Sequence, residues 1–311
     1  MALGRITQNM TSAALLRNLN DLTDRMGTTQ QSISSGKQIT KPSDDPLGTQ
    51  RDLGLRSTLE GVQQQERNVD QAAGWLDSTD SALGSIGDVI NRVRELTVQG
   101  ASDSLGDTQR QSIALEIDQL IDSVKDSANA TFQGSFVFGG TKTTTPPYTN
   151  VPNPGPPPTP NDTYQGDNGT VARTIGPGIS VRVNTDISQL LGTGGGDGKL
   201  LDTLRQIASD LRSGTSAGYD RLRNGDLKAL TDNQDALNQA RATVGATESR
   251  VDQAKSRLSD VEMTTTKLLS NTEDTDLSKA ILDLTNQQNV YQAALRSGAS
   301  IIQPSLLDFL R

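Results

Sequence analysis

The chain has 311 residues, a formal net charge of −8, and neither cysteine nor histidine. Without these residues there is no disulfide, no zinc or haem site of the usual kind, and no Ser-His-Asp or Cys-His nucleophile. We therefore expect no enzyme, no cofactor and no metal. The negative charge disfavours nucleic acid and anionic membranes as partners. Because no histidine titrates, stability should change little between pH 6 and 8.

Only 32% of the residues are hydrophobic and 3% are aromatic, which argues against a large globular core. Long helices with narrow apolar stripes need fewer large side chains. The fold class predicted is mainly α: long antiparallel helices formed by the N- and C-terminal segments, with a small β-rich insertion in the middle of the chain.

Both ends of the chain carry apolar residues at alternating spacings of four and three, a stripe that another helix must cover. The first helix is predicted from about Ile6 to Ser35, with Gly36 as its left-handed cap. The last begins at Leu277 and is interrupted by Pro304. The predicted helix-packing and subunit-packing residues are Leu15, Leu19, Leu22, Met26, Ile33, Leu277, Ile281, Leu284, Leu295, Ile302 and Phe309.

Residues 41–48, KPSDDPLG, predict a turn followed by the start of a second helix. Ser43 is the expected N-cap, Asp44 and Asp45 suit the positive end of the helix dipole, and Pro46 is tolerated in the first turn. We interpret the two aspartates as capping rather than catalytic. The helix should continue to about Gly100, a length of about 80 Å at 1.5 Å per residue.

The middle of the chain changes character. After a third helix, residues 131–140, TFQGSFVFGG, predict a β-hairpin, and the proline-rich residues 143–162 predict a linker or extended arm. Glycine turns at 167–169 and 176–178 predict short strands. The Asp-Gly loops at 166–169 and 194–198 favour turns over calcium or phosphate sites, because the ligand spacing of those sites is missing.

The return helix has a strict seven-residue period, which is typical of a coiled coil. Its apolar residues are Leu230, Leu237, Val244, Val251 and Leu258. Trp75, beside Leu76 in the second helix, is expected to be a core residue. The predicted domains are residues 1–40 with 272–311 (terminal, assembly-dependent), 41–142 with 200–271 (helical, with the hairpin), and 143–199 (arm and small β domain).

Three segments resemble the bacterial flagellin family: SISSGKQITKPSDDPLGTQ from Ser32, INRVRELTVQGASDS from Ile90, and NQQNVYQAALRSGASIIQPSLLDFLR at the C-terminus. The resemblance covers about residues 1–145 and 225–311. Within it, GSFVFGGTKTTTPPY, from Gly134 to Tyr148, is more similar to the hook–filament junction branch than to filament-forming members.

The resemblance implies a structural flagellar protein, exported through the flagellar type III apparatus to the cell exterior. The N-terminus, MALGRITQNM, lacks the apolar run of a cleavable signal, in keeping with that route. The implied partners are copies of the chain in a ring, the preceding hook-associated protein, flagellin, and an export chaperone at the C-terminal helix. Filament flagellin, or a helical-bundle module that binds a ligand, are the alternative functions.

Overall fold

The computed structural model describes residues 8–149, 163–194 and 196–302. The chain forms two compact units, residues 1–61 with 261–311 and residues 62–260. Two long helices each contribute to both units. Ile6, Pro304, Phe309 and most of the proline-rich arm lie outside the described residues.

The mainly α fold class is confirmed, since long helices dominate the described residues and their strands form two small hairpins. The helices are α1 (Gln8–Ser35), α2 (Pro46–Gly100), α3 (Asp107–Ala128), α4 (Ser188–Leu191), α5 (Leu200–Ser213), α6 (Ser216–Arg221), a π-helical turn (Leu222–Asp226), α7 (Leu227–Glu273) and α8 (Leu277–Ile302). The strands are β1 (Thr131–Phe132), β2 (Ser135–Phe136), β3 (Ala172–Gly176) and β4 (Ile179–Arg182).

The start of α2 corrects one prediction. The N-cap is Asp45 rather than Ser43, because an Asp45 carboxylate oxygen accepts the Gly48 amide at 2.9 Å. Asp44 instead closes the preceding turn by accepting the amides of Thr40 and Lys41. These hydrogen bonds, with the Thr40 hydroxyl contributing most, lower the pKa of Asp44. Both aspartates therefore cap backbone groups, as predicted.

The core of residues 62–260 is built on the predicted heptads. All five apolar residues of the seven-residue period in α7 are buried, and so is Trp75, whose ring meets that of Phe132 edge-on with centroids 6.3 Å apart. Ion pairs between α7 and α2 join Arg241 to Asp80 and Lys255 to Asp70, so the two helices run antiparallel. The predicted coiled-coil seam is confirmed in this unit.

The loop after α2 is fixed by Arg110 of α3, which is buried. Its guanidinium donates to the carbonyl oxygens of Gly100 and Ser102, at 3.0 and 2.7 Å, and lies 4.0 Å over the ring of Tyr219. Gly100 allows Leu211 of α5 to approach, since a Cβ at this position would lie 2.3 Å from a Leu211 methyl. One arginine thus ties the end of α2 to α3 and α6.

The predicted hairpin at 131–140 is confirmed. Gln133 and Gly134 both have positive φ, at 49° and 79°, the arrangement of a type I′ turn. Val137 and Phe138 follow the hairpin and are fully buried. The hairpin therefore anchors the chain to the helical core.

Only one of the two predicted glycine turns joins strands. β3 and β4 pair antiparallel across the Pro177–Gly178 turn. At 167–169, Asp167 instead accepts the amides of Thr141 and Gly169, which fastens this loop to the residues after the first hairpin. The Asp167 side chain thus closes the loop locally, but the described residues before it form no strand, contrary to the prediction.

Candidate assembly surface

α1 and α8 lie against each other within the unit formed by residues 1–61 and 261–311. Leu15 of α1 meets Gly298 near the end of α8, and Thr29 accepts a hydrogen bond from Gln287 at 3.3 Å. As the number rises along α1 it falls along α8, so the pair is antiparallel. The predicted pairing of the two terminal segments is present in the structure.

The sequence-predicted residues divide between two faces of this pair. All five on α1, Leu15, Leu19, Leu22, Met26 and Ile33, are partly buried, and so is Leu284 on α8. Leu277, Ile281 and Leu295 each remain about half exposed and lie off the partly buried row of α8. The Ile302 side chain and Phe309 lie outside the described residues.

Leu284 of the partly buried row of α8 was predicted, but most of the row was missed because it is small or polar. Its members, spaced four and three apart, are Ala280, Leu284, Gln287, Tyr291, Ala294 and Gly298. A Cβ on Gly298 would lie 2.5 Å from a methyl of Leu15, so glycine permits the close approach of the two helices. The regular spacing of these small residues was the signal that sequence reasoning overlooked.

This unit also holds most of the large apolar side chains that are exposed among the described residues. They are Met10, Leu16, Leu47, Leu53, Val261, Met263, Leu268, Leu277, Ile281, Leu282, Val290 and Leu295. Concentrated exposure of this kind is typical of a surface that another protein covers. We call these residues the exposed apolar set.

At the joint between α1 and α2, the chain meets the link between α7 and α8. The Gln38 amide donates to the Glu273 carbonyl at 2.7 Å, and the Thr275 amide donates to the Gly36 carbonyl at 2.8 Å. These bonds form an antiparallel bridge between Lys37 and Asp274. Gly36 has a φ of +72°, which fits the left-handed cap predicted for it. These hydrogen bonds therefore hold the loop between α1 and α2 beside the link between α7 and α8.

Glu273 supplies the charge at this joint. Its carboxylate is only 8% exposed and pairs with both Lys37 and Arg56. Arg56 also donates to Asp52 at 3.0 Å, and that hydrogen bond is the main reason its pKa is raised. One buried acid thus joins the loop after α1, the third turn of α2 and the end of α7.

The remaining candidate sites have structural roles in the described residues. Asp197 accepts the amides of Thr193 and Lys199, so the glycine-rich loop is organised as a turn. In the part of the chain that the structure describes, no group of three or more acidic side chains is arranged to hold a metal ion. Over the same residues, no helix has the length and apolar character of a membrane span.

Comparison with known proteins gives consistent results. The profile of the bacterial flagellin N-terminal helical region matches residues 6–143, and that of the C-terminal helical region matches residues 227–310. A flagellar filament 30.7 kDa core protein of Treponema maltophilum is 24% identical over 291 residues, covering 93% of both chains.

Two solved structures share the fold. A putative flagellar hook-associated protein of Vibrio parahaemolyticus superimposes with a TM-score of 0.65 and 21% identity, over 74% of this chain and all of that one. FlgL of Bacillus cereus superimposes with a TM-score of 0.56 and 22% identity, over 70% of this chain and 99% of that one. The two profile matches, which together span most of the sequence, identify the chain as a member of the flagellin family, a structural component of the bacterial flagellum.

Proposed function

We propose that this chain is a junction protein that joins the hook, through the preceding hook-associated protein, to the flagellin filament. One observation carries the proposal: the unit containing the paired terminal helices also holds the exposed apolar set. Large apolar side chains that are exposed in this way are stabilised when other subunits remove them from water. We propose a structural role for the chain rather than an enzymatic one.

The likeness in fold to a hook-associated protein and to FlgL supports the junction over the filament role. A full-length relative named as a filament core protein keeps filament flagellin as the second candidate. The two differ in one property, since a filament protein polymerises alone into long filaments and a junction protein stops at a short assembly.

The proposed partners follow from this position. They are further copies of the chain in a ring, the preceding hook-associated protein, flagellin, and an export chaperone at the C-terminal helix. We propose that the chain is located in the flagellum, outside the cell. We further propose the three-part division made from the sequence, with residues 1–40 and 272–311 innermost and 143–199 outermost.

Within the exposed apolar set, we propose that Leu277, Ile281 and Leu295 contact neighbouring subunits. They form one flank of α8, beside the row that meets α1. Spacings of four and fourteen residues bring the three side chains onto nearly the same line of a helix. A neighbouring helix that packs along this line would bury all three at once.

A deletion strain tests the proposal. Electron microscopy should show intact hooks without filaments, with flagellin released into the medium. Normal filaments would overturn any essential role. Loss of filament with no flagellin released would point to an export defect. Long filaments grown from the purified chain alone would favour filament flagellin.

Complementation with matched variants tests the surface. Ile281→Asp places a charge in the exposed apolar set, whereas Leu115→Asp places one on an exposed leucine of α3 in the other unit. Both monomers should fold with wild-type melting curves, because neither side chain is buried. Only Ile281→Asp should fail to restore filaments. Equal motility with both variants would refute the surface assignment.

A further inference from the structure

The turn that joins α6 to α7 is π-helical. Residues Leu222–Asp226 continue α6 and run into α7 without a break. Short π-helical segments are rare and occur frequently at functional sites. Leu222, the first residue of the turn, is completely buried, so the turn is part of the packed core and not a frayed end.

Two carboxyl groups are buried together at this turn. Asp226 is 6% exposed and Asp210 of α5 is 1% exposed. Asp210 accepts hydrogen bonds from Arg221 at 2.9 Å and from Gln206 at 3.0 Å. One oxygen of Asp226, Oδ2, is buried and accepts no hydrogen bond from the residues that the structure describes. An ionised Asp226 would therefore leave this oxygen without the partner that a buried charge requires.

The charges around the pair do not balance two carboxylates. Asp210 faces Asp226 from α5, and Arg221 faces it from α6. Arg223, in the π-helical turn itself, is engaged elsewhere, with Asp103 and the Ala101 carbonyl. Burial raises the pKa of Asp226 to about 6, with the charge of Asp210 and a hydrogen bond to it adding to the effect and Arg221 opposing it. One guanidinium neutralises only one of the two carboxylates, so the second is more stable when it binds a proton.

We propose that Asp210 and Asp226 share a single proton, and that the π-helical turn is a proton-dependent joint between α6 and α7. With the proton present, the Asp226 carboxyl donates to the Asp210 carboxylate and the turn is closed. When the proton leaves to solvent, two buried carboxylates repel each other and the turn opens. This inference does not rest on the proposed flagellar role.

The geometry of the turn makes it suited to such a change. The backbone hydrogen bond of a π-helical turn spans one more residue than that of an α-helical turn. Returning to α-helical hydrogen bonding rotates the preceding residues by about 100° about the helix axis. Because α7 is fixed by its buried heptads, that rotation would fall on α6 and would move Leu222 and Arg221 from their present contacts.

Hydrogen exchange of the full chain tests the joint. After correction for intrinsic chemistry, the opening equilibrium of residues 214–230 should increase at least tenfold between pH 4.5 and pH 7.5. Asp226→Asn should remove this step and keep the segment protected at pH 7.5. Asp232→Asn, an exposed aspartate paired with Lys228 in the same helix, should behave as wild type.

A wild-type segment whose protection does not change with pH would overturn the proposal, and so would an Asp226→Asn variant that keeps the pH step. If that variant does not fold, the wild-type chain still decides the matter. Carbon-13 NMR of labelled aspartate carboxyls should show one group titrating near pH 6. Titration of every aspartate carboxyl near pH 4 would refute the shared proton.

Discussion

Replacing Glu273 with alanine should loosen the joint where α1, α2, α7 and α8 meet. The carboxylate is 8% exposed, while its partners Lys37 and Arg56 are 47% and 41% exposed. Breaking a fully buried ion pair costs about 3–5 kcal/mol. Here both cations reach water once the acid is removed, and Arg56 keeps Asp52. We therefore expect a smaller loss, about 1–2 kcal/mol.

The loss should be local, and two backbone amides report it directly. Gln38 and Thr275 donate to carbonyls across the joint, so each exchanges when the joint opens. A loss of this size corresponds to an increase in their exchange rates of about 5- to 30-fold. Native-state hydrogen exchange of the monomer at pH 7 measures both amides.

Two variants separate the buried acid from the general effect of removing a charge. Glu95→Ala breaks an exposed pair with Arg92 and should leave both amides unchanged. Glu273→Gln keeps the shape of the side chain and one acceptor oxygen but replaces the other with a donating amide, so its effect should be intermediate. Unchanged exchange in Glu273→Ala, or an equal change in Glu95→Ala, would refute the idea that this carboxylate holds the joint closed.

Three further predictions concern the terminal pair and the core. In the monomer, amides of α1 and α8 should exchange faster than those of the buried heptads, and assembly should protect them; strong protection before assembly would contradict coupled folding. Gly298→Leu should force Leu15 aside and destabilise the pair of α1 and α8 by about 1–3 kcal/mol. The amides of α8 should then exchange still faster, and unchanged exchange would refute the close approach of the two helices. Burial, aided by nearby acidic charges, raises the pKa of Tyr164 to about 12, so stability present below pH 10 should be lost as the pH rises from 10 to about 12. Tyr164→Phe should remove that alkaline step in thermal melts; a step that persists would assign it to another group.

Local rules predicted much of the fold. The heptads of α7 identified its buried face because the same period repeats over five large residues. Gly36 identified the cap of α1, and the pattern of residues 131–140 identified the first hairpin. Each of these signals depends on neighbours within a few residues, which is the range over which helix and turn chemistry acts.

The predicted N-cap of α2 was wrong because two nearby residues could both serve as the cap. Ser43 and Asp45 are both good caps, but Pro46 favours the first helical position. That preference places the cap one residue earlier, at Asp45. The cap was therefore within reach of sequence reasoning, had the proline been weighed more heavily than the serine.

The face of α8 was harder to predict because two stripes overlap on it. Leu284 belongs to both the large apolar stripe predicted from the sequence and the row of smaller residues that meets α1. Periodicity gives the angle between stripes but not which partner each one meets. The π-helical turn was out of reach for another reason, since it depends on Asp210 and Asp226 meeting across two separate helices.

The two faces of α8 differ in the size of their side chains. The inner row, which meets α1, is mostly small or polar, whereas the outer flank carries large apolar side chains. The inner row contains Ala280, Ala294 and Gly298, small residues that let α1 approach but remove little apolar surface from water. Gln287 in the same row contacts α1 through a hydrogen bond and adds no large apolar side chain. Ordering two helices costs conformational entropy that such a thin interface offsets poorly. The larger apolar side chains are left on the outside, where only another molecule can bury them. We therefore expect a terminal pair of this composition to gain most of its stability when neighbouring subunits cover its outer flank.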